Sequence, residues 1–167
     1  QRIMMANPVH SKALRRTVGN YIKSRFLTAQ DARRLLQAIP LDSVRGKRDF
    51  ALLLGYIVLG RRNSEWRLAR TCDFEDAGAI VFRWSGKGRK NERIGISSQV
   101  WAALKDYVEC SGGRGGYDYV FLTRTGRELS ARQVGQIVSR YARLAGIEGR
   151  LRVHDLRHTA AMLRRQA

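Results

Sequence analysis

At 167 residues the chain is long enough for one ordinary domain with a real core, and its 44% hydrophobic content excludes a disordered chain. It carries 32 Lys and Arg against 14 Asp and Glu, a net charge of +18 spread along its whole length. A solvated basic tail does not explain such a distribution, and nucleic acid is the better partner than an acidic membrane surface, because no basic amphipathic helix stands out as an anchor.

No stretch approaches the roughly 18 consecutive apolar residues of a membrane span; the longest run, FALLLGYIVLG at 50–60, has the length of a buried helix. Cys72 and Cys110 lie far apart and outside any CxxC pair, which argues against zinc and for a reducing compartment. The chain starts at Gln1 without a signal-peptide pattern, and the expectation is a piece of a larger cytoplasmic, nucleoid-associated protein.

Residues 1–27 read as a connector, with an Asn-Pro turn signal and charges that interrupt any long apolar face. LTAQDARRLLQAI reads as a helix with Thr28 as N-cap, Asp31 at the third position and Pro40 closing it. GKRDFALLLGYIVLG reads as a mostly buried helix, and RRNSEWRLAR starts a short second one from polar capping residues. AIVFRW and RIGI are β-prone runs flanking the basic turn SGKGRKNE, which predicts a β-hairpin. SSQVWAALKDYVEC is helical, with Val100, Leu104 and Val108 at four-residue spacing. YVFLT is expected to form a short strand. SARQVGQIVSRYARLAG is an amphipathic helix with Val134, Ile137, Val138, Tyr141 and Leu144 on its apolar stripe and Gly146 as its stop. A final helix begins near His154. The expected fold is mainly α with a small antiparallel β-hairpin or sheet insert, an α+β arrangement.

The closing stretch RVHDLRHTAAMLRRQA holds two of the three histidines, His154 and His158, with Arg157 on the same helical face. His-x-x-x-His is the spacing of a zinc helix, but the glutamate that acts as general base beside the first histidine is replaced by Asp155. Arg157 would put a fixed cation in the ligand shell, and no third ligand cluster is evident, so no metal is expected. GYIVLGRR at 55–62 has the spacing of a phosphate-binding nucleotide loop, yet Arg61 and Arg62 stand where Lys and Ser/Thr are required, and it ends an apolar helix rather than opening one. Phosphate binding without a nucleotide fits better. Arg62 in GRRNSE, Lys87 in SGKGRK, and His154 with Arg157 in HDLRH offer cationic donors beside glycines or helix starts. Taken singly, each is as well explained as a solvated basic residue.

Together, LGRRNSE, SGKGRKNERIGIS and VHDLRHTAA resemble, in order and approximate interval, the motifs of the tyrosine recombinases, the phage-integrase family. Gly60, Arg62, Ser64 and Glu65 match the family's G-x-R-x-S-E; Lys87 matches its hairpin lysine, with Asn91 and Glu92 extending the turn by a residue. His154, Leu156, Arg157, His158 and Thr159 match H-x-L-R-H-T. The resemblance implies the catalytic-domain fold of that family. It also implies DNA strand cleavage and rejoining through a 3′-phosphotyrosine, with neither ATP, metal nor other cofactor. Arg62 and Arg157 would then clamp the non-bridging oxygens, Lys87 would protonate the leaving 5′-oxygen, and His154 would hydrogen-bond at the phosphate. Glu65 would orient the site and His158 would support it without taking part. Double-stranded DNA would be the partner, bound as a homodimer and, in the synaptic complex, as a homotetramer; no membrane is involved.

Two features depart from the family. No tyrosine follows Tyr141, and none of the earlier ones is a credible nucleophile, so the attacking tyrosine is expected beyond Ala167. Arg61 and Trp66 stand where the family usually has apolar residues. On this reading 1–27 is a linker from an N-terminal DNA-binding domain, and 28–167 is a catalytic domain without its C-terminal segment. The alternative is a naturally shortened, non-catalytic DNA-binding relative that regulates or occludes sites.

Overall fold

A computed structural model describes residues 25–166 apart from 77, 86–90 and 117. The connector expected over 1–27 therefore lies almost wholly outside the described residues, as do Tyr21 and Tyr117. The described chain runs α1 (Ala29–Gln37), α2 (Val44–Leu59), α3 (Asn63–Arg67), a 3-10 turn (Thr71–Asp73), β1 (Phe74–Asp76), β2 (Ile80–Ser85), β3 (Asn91–Gly95), α4 (Ser98–Cys110), α5 (Ala131–Leu144) and α6 (Val153–Gln166). The expected mainly helical architecture with a small antiparallel insert is what forms.

Helix starts follow the hydroxyl residues. Thr28, Ser43, Ser97 and Ser130 each accept a hydrogen bond from the backbone N–H three residues on, satisfying a donor that the first helical turn leaves open. Serine capping moves the start of α2 two residues upstream of the GKRDF expected to open it. The buried helix α2 is the axis of the fold: α1, α3, α4 and α6 all pack on it. Its one fully buried acid, Asp49, is held by both Nε and Nη2 of Arg48 (2.9 and 2.7 Å) and by the Tyr141 hydroxyl of α5 (3.1 Å). Arg48 also donates to the Leu122 carbonyl at 2.8 Å, so a buried charge pair ties three parts of the chain together with its valences filled.

The sheet is a three-stranded antiparallel meander in the order β1-β2-β3, with Phe82 opposite both Phe74 and Ile94. Its inner face meets α3 through Trp66, which is fully buried and touches Phe74, Phe82 and Phe121 at centroid distances of 6.3, 5.4 and 5.4 Å. The indole N–H donates to the Leu52 carbonyl at 3.0 Å. The ring fits against α2 only because position 55 is glycine; a Cβ there would lie 2.2 Å from the Trp66 ring. Trp66 thus joins sheet to helix axis, which is what its departure from the family's apolar residue accomplishes.

Three expectations need correction. YVFLT is not a strand: Tyr119 makes only an isolated bridge with Arg70, and Val120 N–H bonds to Ala69, while Val120 and Phe121 turn into the core. Its neighbour is a single extended turn, too short to offer a ladder. Leu144 is 59% exposed, because α5 leaves the core in its last turn and Ala142 takes the buried position. β1, three residues long, was not anticipated; Phe-Glu-Asp is too short to show alternation.

Gly55→Ala should destabilise the fold by about 1–3 kcal/mol or more, because the added methyl has no room beside a close-packed indole. Urea unfolding measures it; a variant as stable as the parent would show that Trp66 does not occupy this place.

Candidate functional site

The arginine-bearing turn between α2 and α3 begins where α2 stops. Gly60 caps α2 in the left-handed region (φ +63°), donating its N–H to the Tyr56 carbonyl at 3.1 Å. Helix α6 packs against this cap: a Cβ at Gly60 would lie 3.0 Å from the Ala160 Cβ and 3.9 Å from the Arg157 carbonyl. From the far end of α6, Arg164 Nη2 donates to the Val58 and Leu59 carbonyls, both at 2.8 Å. A guanidinium at the open, partially negative end of a helix satisfies carbonyls that have no helical partner. Two segments distant in sequence, GRRNSE and HDLRH, therefore meet at Gly60.

Both segments orient their first turn by the same device. Glu65, third residue of α3, accepts from the Arg62 backbone N–H (3.0 Å) and from Arg62 Nη1 (2.8 Å). Asp155, third residue of α6 and buried, accepts from the Arg152 N–H at 2.8 Å. A carboxylate folded back on its helix start fixes the entry angle and complements the helix dipole. Thr159, also buried, donates to the Asp155 carbonyl (2.9 Å) and accepts the Leu27 N–H (2.8 Å), pinning α6 to the segment ahead of α1.

On this frame the predicted residues fall as follows. Arg62 is the N-cap of α3, with its side chain 57% exposed and paired to Glu65. His154 is exposed in the first turn of α6, and His158 packs edge-on against it at 4.5 Å between centroids. Arg157 is half-buried; its Nη1 is inaccessible to solvent and has no hydrogen-bond partner among the described residues. Lys87 lies outside the described residues. Among the tyrosines, Tyr56, Tyr107 and Tyr141 are buried in the core, with Tyr56 donating to Asn63 Oδ1 at 2.7 Å, and Tyr119 lies under the Arg70 guanidinium.

Electrostatically the site is a cluster of cations with few acids. Burial works to raise the Glu65 carboxyl, but hydrogen bonds from the Arg62 guanidinium and N–H, with the charges of Arg62 and Arg61, outweigh it and hold the group below the usual glutamate range. Arg62 is pushed upward by the same hydrogen bond. Arg61 goes the other way: burial lowers it, and the charges of Arg157 and Arg164 add to that, against the opposing pull of Glu65 and Glu92. Arg61 therefore sits partly desolvated among like charges, whereas Arg62 is held by its carboxylate.

Residues 25–166 match the sequence profile of the phage integrase family. The chain belongs to that family. It is 30% identical over 136 residues to a tyrosine recombinase of Pseudothermotoga lettingae, covering 81% of this chain and 45% of that protein. It is 32% identical over 145 residues to the tyrosine recombinase XerC of Thermodesulfovibrio yellowstonii, covering 82% and 48%. The chain thus spans just under half the length of these curated relatives. Among solved structures it resembles the XerH site-specific recombinase bound to palindromic difH substrate after cleavage (TM-score 0.74, 21% identity, 86% of this chain and 42% of that one). It also resembles the lambda integrase catalytic core (TM-score 0.65, 18% identity, 85% and 84%). The fold is that of the tyrosine recombinase catalytic core. No helix among the described residues is long and apolar enough to cross a membrane.

The motifs singled out Arg62, His154, Arg157, Glu65 and Thr159, though Thr159 with no role, and passed over Arg164 and Asp155, which hold the frame with it. Asp155 had a signal, an acid three residues after the helix start; Arg164 had none, since its partners are backbone carbonyls of another helix.

Because Glu65 has a lowered folded pKa, its contribution is full above the ordinary glutamate value of about 4.3 and is lost as pH falls through the folded value. Glu65→Ala should therefore cost about 1–2 kcal/mol near pH 7 and much less once the pH is well below the ordinary glutamate range. Denaturant unfolding of both proteins at the two pH values measures this, and a pH-independent difference would contradict the Arg62–Glu65 pairing.

Proposed function

We propose that this chain supplies the phosphate-gripping part of a DNA strand-transfer site in a site-specific recombinase. The observation that carries the reading is the packing of α6 against Gly60, two residues before Arg62, with Arg157 of that helix keeping one buried guanidinium nitrogen without a partner among the described residues. Leaving such a group unpaired is costly in a finished core, and a bound phosphate oxygen would complete it. The +18 charge and the family's DNA-bound structures, such as that of XerH on difH, support double-stranded DNA as the phosphate's source.

The chemistry follows from charge. Attack of a tyrosine hydroxyl on the scissile phosphate passes through a pentavalent state with added negative charge on its equatorial oxygens. Arg62 and Arg157 each offer a planar fork to those oxygens, and His154 adds a donor at the start of α6, where the helix end already favours an anion. Lys87 protonates the departing 5′-oxygen. The tyrosine becomes 3′-linked to the strand and a 5′-hydroxyl is freed; attack by a second 5′-hydroxyl releases the tyrosine on a new strand. The phosphodiester's energy is kept in the phosphotyrosine, so the exchange consumes no ATP, and fixed guanidinium charges do the neutralising.

In this reading the attacking tyrosine comes from beyond Ala167. Residues 1–27 connect to an N-terminal DNA-binding domain, and 28–167 belong to the catalytic domain. The protein works on the nucleoid as a dimer on one site and a tetramer when two sites pair. Glu65 holds Arg62, and His158 supports the His154 ring.

Two measurements test the reading. DNA affinity of the 167-residue chain should fall steeply with salt, log K dropping by about 0.9 per phosphate neutralised for each decade of salt; a flat response would contradict DNA binding. With the full-length protein on nicked suicide substrates, a covalent adduct to the 3′ end should accumulate. Arg62→Ala and Arg157→Ala should each reduce its rate by about 10²–10³-fold, with DNA affinity changed far less. DNA bound without any adduct would instead indicate a non-catalytic binder.

A further inference from the structure

A turn built on glycine leads into α6. Gly146 and Gly149 both stand in the left-handed region, at φ +64° and +70°, and glycine is the residue whose backbone is least restrained by its own side chain. At the near end, the Ile147 N–H closes on the Ala142 carbonyl of α5 at 2.9 Å. At the far end, the Arg152 N–H closes on Asp155 at 2.8 Å. The stretch between is gripped from another part of the chain. Arg25, ahead of α1, donates from Nη2 to the Glu148 carbonyl, and its Nη1 lies 3.5 Å from the Arg150 carbonyl. The guanidinium sits so close to the turn that a Cβ at Gly149 would lie 2.7 Å from Nη1.

Two residues on, the same segment is fixed to α6 itself. Leu27 is buried, and its N–H donates to Thr159 Oγ1 at 2.8 Å. Thr159 follows Arg157 by two positions on the helix whose first turn carries His154. Residues 25–27 therefore hold α6 at its lead-in and again in its second turn. Arginine suits the first of these ties, because its planar fork presents donors to two carbonyls at once where a lysine offers a single point. At its other end α6 is held by Arg164 on the Val58 and Leu59 carbonyls. Both ends of the helix are thus tied by a guanidinium to backbone carbonyls, and the Arg25 tie is at the end that bears His154.

We propose that Arg25 is a positioning residue for strand transfer: with Leu27 it straps the start of α6 to the segment ahead of α1, and so sets where His154 and Arg157 stand. The inference rests on the recombinase reading above. It assigns Arg25 no contact with the scissile phosphate. Releasing the strap leaves the cations present but displaced, and a misplacement of about 1 Å at a reacting group costs up to about 10²-fold in rate.

The test uses single-turnover cleavage by the full-length protein on nicked suicide substrates, with protein in saturating excess. Arg25→Ala should cleave at least about tenfold more slowly while binding DNA within about threefold of the parent. Arg25→Lys, which keeps one donor, should recover part of the loss. In an Arg157→Ala background the effect of Arg25→Ala should shrink at least about threefold, because one of the two groups it positions is gone. Gly149→Ala, whose methyl crowds the guanidinium, should also slow cleavage. Combined with Arg25→Ala it should cost less than the product of the two single effects, and it covers the case in which Arg25→Ala fails to fold. Amide hydrogen exchange without DNA locates the change: residues 148–158 should exchange faster in Arg25→Ala, with α4 at the parental rate. A parental cleavage rate for Arg25→Ala, the same loss with and without Arg157, or unchanged exchange over 148–158 would overturn the inference. If the parent protein itself forms no adduct, the recombinase reading fails instead.

Discussion

The contact on which the site depends is the docking of α6 against the open end of α2. Arg164 occupies the last carbonyls of α2 while Gly60, held in the left-handed region, leaves just enough room for Ala160. Without a glycine there, the left-handed turn would be strained and Ala160 would have to give way. Without the guanidinium, the Val58 carbonyl at the end of the central helix would lose its side-chain donor. Three of the residues proposed to meet the phosphate are tied to this joint: Arg62 follows Gly60 by two positions, and His154 and Arg157 lie on the helix that the joint holds.

Around it, buried polar groups of the frame close on one another. Asp49, Arg48 and Tyr141 close their hydrogen bonds on one another, and Thr159 uses its hydroxyl both as donor and acceptor. Across the joint, cations outnumber acids, Arg157 keeps a buried nitrogen free of partners among the described residues, and Arg61 is held where burial and like charge work against it. A multiply charged anion would complement such an arrangement of rigid support beside a cluster of cations.

Much of this was legible in the sequence because it is encoded locally. The hydroxyl cap at Thr28, the apolar spacing of α4 and α5, and the β-prone runs AIVFRW and RIGI all act within a few residues, and each produced the element expected. The motif residues were legible for a different reason, since arginine, histidine and glycine at fixed offsets have few structural uses that coincide. What stayed hidden depends on partners remote in the chain. The apolar run YVFLT went to the core because Phe121 finds Trp66 there, and no ladder was on offer. Arg61 read as an oddity because the indole that receives it, that of Trp84, belongs to the hairpin. Trp66 read likewise, until Gly55 supplied the groove for its ring.

The central claim is that Arg62, His154 and Arg157 converge on one phosphate. Its most direct test is an experimental structure of the protein on duplex DNA carrying its target site. The account predicts both guanidinium groups and the His154 ring within hydrogen-bond distance, about 3 Å, of the oxygens of a single phosphate, with the Arg157 Nη1 no longer unpaired. A complex in which the duplex lies on another face and these three side chains contact solvent or separate phosphates would contradict it.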